Sequence, residues 1–260
     1  MSKIEMFENP FIRSTKNVVT SDHTDKSKPL LVIGVTSKKY VDRCRAEQRD
    51  FYYMDTGYFG NFRNELNPKG KKHFVRIVKN DVQKSVLEEY PSDRWENLIS
   101  NDPRLLWKGW KKSGKKILLV LPNSKSCNFY NMNKDQWLTK TIDILKQHSN
   151  LPIIMREKKS RLERHKHSIY DALDQDIFAT VCFNSIAAIE SIAYGVPAFV
   201  AVPCAASPLA LMDLTQINTP YYPDEKLIKK HCSSLAYGQF TFEEVENGYA
   251  WQILQGQKNE

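Results

Sequence analysis

The sequence predicts an α/β fold built as two Rossmann-like, parallel-sheet lobes. Two observations carry that expectation. Short apolar runs bounded by Gly, Pro, Asn or Asp alternate with segments of helical spacing, and the alternation restarts once, after a basic stretch at 104–116. The chain of 260 residues, 41% of them hydrophobic, is long enough for two lobes of roughly 100–150 residues, each with its own core.

Taken in order, residues 1–28 are polar and hold no sustained period, so they read as an N-terminal extension. The run from Leu30 to Val35 reads as a buried strand, and 37–48 as a helix with Ser37 as its cap. Phe51 to Met54 is a second strand, stopped by Asp55-Thr56-Gly57, and Phe74 to Val78 a third. Helices are expected over 82–89 and around Trp95 to Ile99. Gly109 and Gly114 punctuate the basic stretch and mark the lobe boundary.

Past that boundary, Ile117 to Leu121 is a strand ending in Pro122-Asn123-Ser124. Asp135 to His148 has helical spacing, with Trp137, Ile142 and Leu145 on one side. A strand over Pro152 to Met155, a charged helix over 161–173 and a strand over Asp176 to Phe183 follow. Ser185 to Tyr194 reads as a short helix ended by Gly195, and Val196 to Val202 as a last strand. The domain limits are therefore 1–28, 29–113, 114–239, and a helical 240–260 expected to pack back across the lobes. Ligands of such folds bind beyond the carboxyl ends of the strands.

Composition narrows the function. No run of 18 apolar residues predicts a membrane span, and the first residues carry no apolar signal core, so a cytoplasmic protein is expected. Cys44, Cys127, Cys182, Cys204 and Cys232 are scattered and never paired as CxxC, which argues against a metal site or a disulfide framework. The formal net charge is +8, and its cations cluster at 38–49, 69–79 and 104–116. Such clusters attract phosphate polyanions, so Lys71, Lys72, Arg76, Lys108, Lys111 and Lys112 are candidates for holding a DNA backbone. Trp107 and Trp110 inside the third cluster suit either base stacking or core anchoring.

The most specific stretch runs from Cys182 to Pro197, CFNSIAAIESIAYGVP. A strand ends at Asn184 and a helix starts at Ser185, where backbone N–H groups and the helix dipole favour an anion. Ser185 adds a hydroxyl, Ala187 and Ala188 leave room, and Glu190 can accept hydrogen bonds from ribose. This stretch resembles the nucleotide-sugar half of the GT-B glycosyltransferases, most clearly over 176–203 and less so over 117–160. The resemblance implies that Ser185 and the amides of Ile186 and Ala187 face the donor diphosphate and that Glu190 binds ribose. It also makes 29–113 the acceptor lobe and 114–239 the donor lobe. Nucleotide-sugar epimerases share the pattern.

Two loops agree with that site. Asn123, Ser124 and Lys125 follow the first strand of the second lobe, where the family's loop faces the diphosphate. Arg156 and Lys158 follow the next strand, where the family places a basic residue; Arg156 suits two oxygens at once. A cation and helix amides can stabilise the leaving nucleoside diphosphate without a metal, and no DxD or His cluster points to one. No cofactor is expected beyond the nucleotide sugar itself, a UDP-sugar by preference. The acceptor's base is expected in the first lobe. Asp55, at a strand end before Gly57, is the candidate, with His73 in reserve and Asp50 and Asp81 behind it. Tyr53, Tyr58 and Phe59 around it offer stacking faces for a base or a sugar.

Charge and size together favour double-stranded DNA with hydroxymethylated bases as acceptor, by similarity to the bacteriophage DNA glycosyltransferases that modify 5-hydroxymethylcytosine; a flipped base would enter the cleft. That would place the protein in host cytoplasm, and a monomer is expected. The alternatives are transfer to a surface polysaccharide or lipid-linked sugar, epimerisation of a nucleotide sugar, and a non-enzymatic DNA-binding protein.

Overall fold

The protein is described from a computed structural model that covers residues 9–16, 18–60, 74–157 and 168–256. The described chain divides into two compact units. The first holds residues up to 60, 74–84 and 236–256; the second holds 85–157 and 168–235. The sequence break at 113 thus falls inside the second unit.

The first unit opens with helix α1 (Pro10–Ser14), whose start is capped by the Asn9 side chain accepting from Phe11 N. Strand β1 (Leu30–Ile33) follows, then helix α2 (Lys38–Ala46), strand β2 (Phe51–Thr56) and strand β3 (Phe74–Lys79). Ser37 does not cap α2; its hydroxyl donates to Ile33 O at 2.8 Å. Residues 82–89, expected as a helix, are irregular. There Val82 and Gln83 are buried, and Lys84 N donates to the Tyr58 hydroxyl at 2.8 Å, a tertiary bond in place of a helical one.

The second unit begins with helix α3 (Asp93–Asn101) and strand β4 (Lys116–Val120). Helix α4 (Ser124–Phe129), helix α5 (Lys134–His148), strand β5 (Ile153–Arg156), helix α6 (Ile169–Leu173), strand β6 (Ile177–Cys182), helix α7 (Ala187–Ala193), strand β7 (Ala198–Val200) and helix α8 (Glu225–Ala236) follow. The four strands are all parallel, in the order β5-β4-β6-β7. Their apolar runs read as near-continuous because helices cover parallel sheets. Ile117, Leu119, Ala179, Val181 and Phe199 are buried against Leu145 of α5 and Ile217, with Trp137 and Ile142 packed on them.

The chain then returns to the first unit with strand β8 (Gln239–Thr241), helix α9 (Phe242–Glu246) and helix α10 (Tyr249–Leu254). The expected C-terminal helix over 240–256 is therefore a strand and two short helices. The first sheet has the order β1-β2-β3-β8 and is mixed, not parallel as expected: β1 and β2 are parallel, and β3 runs antiparallel to both β2 and β8. Antiparallel neighbours need no helical crossover between them. Phe51, Tyr52, Tyr53, Met54, Ile77 and Phe240 are buried in this unit.

Two glycines of the second unit are fixed by close approach. Gly195 holds φ +85, and a Cβ there would sit 2.2 Å from Gly109 O. Gly114 passes so near Ile177 that a Cβ would lie 2.3 Å from its backbone.

Candidate functional site

Within the second unit the strands, numbered from β4, lie in the order 2-1-3-4. The direction of winding reverses between β4 and β6, and the loops leaving the carboxyl ends of those strands open the crevice where such sheets bind ligands. The loop after β4 holds Asn123, Ser124 and Lys125, all exposed. Asn123 caps α4 by accepting from Ser126 N at 2.9 Å. Ser126 in turn donates to Asn184 Oδ1 at 2.9 Å, which joins this loop to the loop after β6.

The opening of α7 is more closed than its sequence suggests. Ser185 Oγ accepts from Ala187 N at 3.2 Å, and Ser185 O accepts from Ala188 N at 3.1 Å. Ile186 O takes the amides of Ile189 and Glu190, each at 3.1 Å. The Ala187 amide, expected to face phosphate, is thus turned on the Ser185 hydroxyl, and Ala187 itself is buried. Ser185 and Ile186 ahead of it are half-buried.

The Glu190 charge acts on Arg156. Arg156 ends β5 and is half-buried, with its carbonyl accepting from Leu121 N at 2.9 Å. Burial pushes its guanidinium below the ordinary arginine range, and the Glu190 charge works in the opposite direction. Lys158 lies outside the described residues.

Sequence reasoning missed a cluster made by Asp102, Arg104 and Tyr170. Arg104, in the turn after α3, is forked onto Asp102, with Nε and Nη2 each 2.7 Å from a carboxylate oxygen. Its guanidinium lies 4.6 Å from the ring centre of Tyr170, which is buried at the start of α6. Burial pushes the Tyr170 phenol up, with the charges of Glu190 and Asp102 adding to the effect. Arg104 is held protonated first by Asp102, and Glu190 contributes as well. Tyr170 is far from Asp102 and Arg104 in the chain, so no spacing signals the cluster.

In the first unit, Asp55 ends β2 and is committed to its neighbours. Its Oδ2 meets Arg76 Nη2 at 3.1 Å and the Tyr53 hydroxyl at 3.3 Å, while Oδ1 accepts from Thr56 N at 2.7 Å. Arg76 was expected on DNA, but its side chain is only 7% exposed. It is spent on Asp55, Val82 O at 3.1 Å and Thr56 O. A guanidinium so enclosed does not reach a phosphate backbone, and a carboxylate matched to it is a structural partner before it is a base. Tyr53, Tyr58 and Phe59 are buried, so they do not offer the stacking faces expected of them. The buried Gln239 accordingly accepts from the amides of Tyr58 and Phe59 at 2.7 and 2.9 Å. Asp50 bonds Lys79 and Asn80 at 3.0 and 2.7 Å, and those bonds hold its carboxyl below the usual range. Asp81 faces Arg45 at 3.7 Å. Lys71, Lys72 and His73 lie outside the described residues.

The third basic cluster is partly tied down. Lys111 Nζ lies 4.0 Å over the Tyr194 ring and 3.3 Å from Asp174, which also accepts from the Tyr194 hydroxyl at 2.7 Å. Burial and that bond push the Tyr194 phenol up to about 12. Lys108 and Lys112 are exposed, the latter 5.1 Å over Tyr222. Trp110 donates to Pro223 O at 2.9 Å and packs edge-on against Trp107 and Tyr222, so this pair serves as an anchor. Among the described residues no group of three or more His, Cys, Asp or Glu is placed to hold a metal, and no helix is long and apolar enough to cross a membrane.

No protein-family model and no curated protein sequence matches the chain. In fold it is similar to two solved structures from Thermosulfurimonas dismutans. One is KpsC, beta Kdo 2,7 transferase, with a TM-score of 0.53 and 12% identity over 99% of this chain and 98% of that one. The other is KpsC, beta Kdo 2,4 transferase, with a TM-score of 0.51 and 12% identity over 90% of this chain and 88% of that one. The fold is therefore one that glycosyltransferases use.

Proposed function

We propose that the chain is a glycosyltransferase that takes a sugar from a nucleotide-activated donor bound at the carboxyl edge of the parallel sheet of the second unit. The observation that carries this reading is the joining of the loops after β4 and β6 by Ser126 and Asn184 at the reversal of the winding, with Arg156 in register with Val120 at the carboxyl end of the neighbouring strand. In this reading Arg156 and the exposed Asn123, Ser124 and Lys125 meet the donor phosphate, and Glu190 accepts from the ribose hydroxyls. As the glycosidic bond to phosphate breaks, the growing charge on the leaving nucleotide falls on the Arg156 cation, with no cofactor needed. Lys158 would add a second cation. The acceptor hydroxyl attacks the anomeric carbon and gives up its proton to a base that we leave unassigned, since Asp55 is held by Arg76.

For the acceptor we favour a carbohydrate hydroxyl. The support is that the two structures sharing the fold are Kdo transferases by description, and one spans nearly the whole chain. Double-stranded DNA with hydroxymethylated bases is the second reading, favoured by the formal net charge of +8 and the exposed Lys108 and Lys112. The test is incubation with labelled nucleotide sugars and two acceptor sets, oligosaccharides and hydroxymethylated duplex DNA, followed by mass analysis. Sugar on an oligosaccharide supports the first reading, and sugar on a nucleoside the second. A free epimerised nucleotide sugar, or no turnover with salt-dependent DNA binding, would overturn both.

A further inference from the structure

The chain leaving β7 turns back at once, and its own polar groups close the turn. Cys204 N donates to Ser207 Oγ at 2.8 Å, Ser207 N donates to Cys204 O at 3.0 Å, and Leu209 N donates to Ala206 O at 2.9 Å. Cys204, Ala205 and Ala206 are all buried. The four strands of this sheet are parallel, so the turn stands at the same carboxyl edge as the loops after β4 and β6. It is joined to its neighbour directly, because Ala201 N donates to Cys182 O at 3.1 Å and to Phe183 O at 3.0 Å. Asn184 comes next in the chain and carries the oxygen that receives the Ser126 hydroxyl.

Helix α8 meets this turn through a buried side chain. His231 is fully buried, and its Nε2 lies 2.5 Å from Ala205 O. A carbonyl oxygen only accepts, so Nε2 carries the hydrogen and donates it. Every residue of α8 from 231 to 236 is buried, and the imidazole is the largest polar group among them. An aliphatic side chain would fill such a position without the cost of desolvating a polar ring. The N–H of His231 offsets that cost by holding the turn, and the turn in turn holds the loop after β6. A continuous line of hydrogen bonds and short chain segments thus runs from α8 through Ala205, Ala201 and Phe183 to Asn184 and Ser126.

We propose that His231 is a positioning residue: by donating to Ala205 O it fixes the turn after β7, and through the two bonds of Ala201 it sets where the loop after β6 presents Asn184 and Ser185 to the donor. The functional sense of this tie rests on the donor-site reading; the tie itself does not. Glutamine carries an amide nitrogen at about the reach of the imidazole Nε2, while leucine fills the space with no donor, so the two substitutions separate hydrogen bonding from packing.

The experiment is amide-resolved hydrogen exchange on the native full chain. His231→Leu is expected to quicken exchange at Ala201 and Ser207 roughly fivefold, the worth of one hydrogen bond, and to leave Ile117, bonded to Pro152 O on the far side of β4, unchanged. His231→Gln is expected to restore the wild-type rates. Unmoved exchange at Ala201, equal quickening at Ile117, or a Gln variant that behaves like the Leu variant overturns the proposal. Should His231→Leu fail to fold, His231→Asn, whose amide is one methylene shorter, takes its place, and equal rates in the Asn and Gln variants overturn it. In a second arm, UDP, GDP and CMP are titrated by calorimetry into the wild type and the variants well below their unfolding temperatures. Several-fold weaker binding in His231→Leu that His231→Gln restores supports the positioning role, and unchanged binding overturns it. Should the wild type bind none of the three nucleotides, the donor-site reading fails, and the exchange at Ala201 still decides the tie.

Discussion

Ser126 donates its hydroxyl hydrogen to Asn184 Oδ1 across 2.9 Å, joining two loops that lie 58 residues apart in the chain. The Ser126 amide is held at the same time by Asn123 Oδ1 at 2.9 Å. One small residue thus ties the loops at the carboxyl ends of β4 and β6. Ser126→Ala removes the side-chain bond between the two loops. We expect a loss of about 1 kcal/mol in denaturant unfolding and a several-fold loss of nucleotide affinity by calorimetry. Equal stability with equal affinity would show that the two loops need no tie.

Gly195→Ala confronts two barriers at once. The residue sits at φ +85, and its new methyl would lie 2.2 Å from Gly109 O. The left-handed conformation alone costs roughly 1–2 kcal/mol, and the contact with a backbone oxygen adds to it. Thermal unfolding of the variant should start well below that of the wild type. A midpoint within a degree or two of the wild type would mean that the segment around Gly109 yields freely.

Asp55→Asn separates a structural role from a catalytic one. Arg76 is buried and Asp55 only 28% exposed, so removing the negative charge leaves a guanidinium poorly matched. A loss of about 2 kcal/mol is expected from a hydrogen bond to a charged group, measured by chemical unfolding. Transfer activity measured well below the unfolding temperature should survive. Loss of transfer with unchanged stability would return Asp55 to the role of base.

All five cysteines are buried, and burial pushes the thiols of Cys44, Cys127, Cys182, Cys204 and Cys232 upward. The thiolate is the reactive form, so alkylation of the native protein near neutral pH should be slow at every site and fast in denaturant. Intact-mass analysis over time reads the result. Rapid single labelling of the native protein would reveal a local opening at the modified cysteine.

The parallel sheet of the second unit was legible because each strand is a continuous apolar run with a clear stop. The expected strands Ile117 to Leu121 and Asp176 to Phe183 lie within one residue at each end of the observed Lys116–Val120 and Ile177–Cys182. The mixed sheet was not legible in the same way. Strand β8 is three residues long and two of them, Gln239 and Thr241, are polar yet buried, so neither hydropathy nor period marks it. Tyr53, Tyr58 and Phe59 read equally well as ligand faces or as core, since an aromatic beside a glycine turn has the same pattern in both cases; burial decided for the core. At the candidate site, Arg156 was singled out from the end of a strand and Glu190 from the helix that follows another, each by itself. The stacking of Arg104 on Tyr170 was not legible, because the two residues are far apart in the chain and meet only in the fold.

Strand β8 closes the edge of the first sheet beside β3, and it is made by residues 239–241, which follow the whole of the second unit. On the ribosome, β1, β2 and β3 must therefore wait with one flank uncovered while more than 150 further residues emerge. The second unit has all four of its parallel strands in one uninterrupted stretch and can assemble during that wait. Release of a nascent chain stalled before Gln239 should then yield a protease-resistant fragment from the second unit only, with the first still open to cleavage.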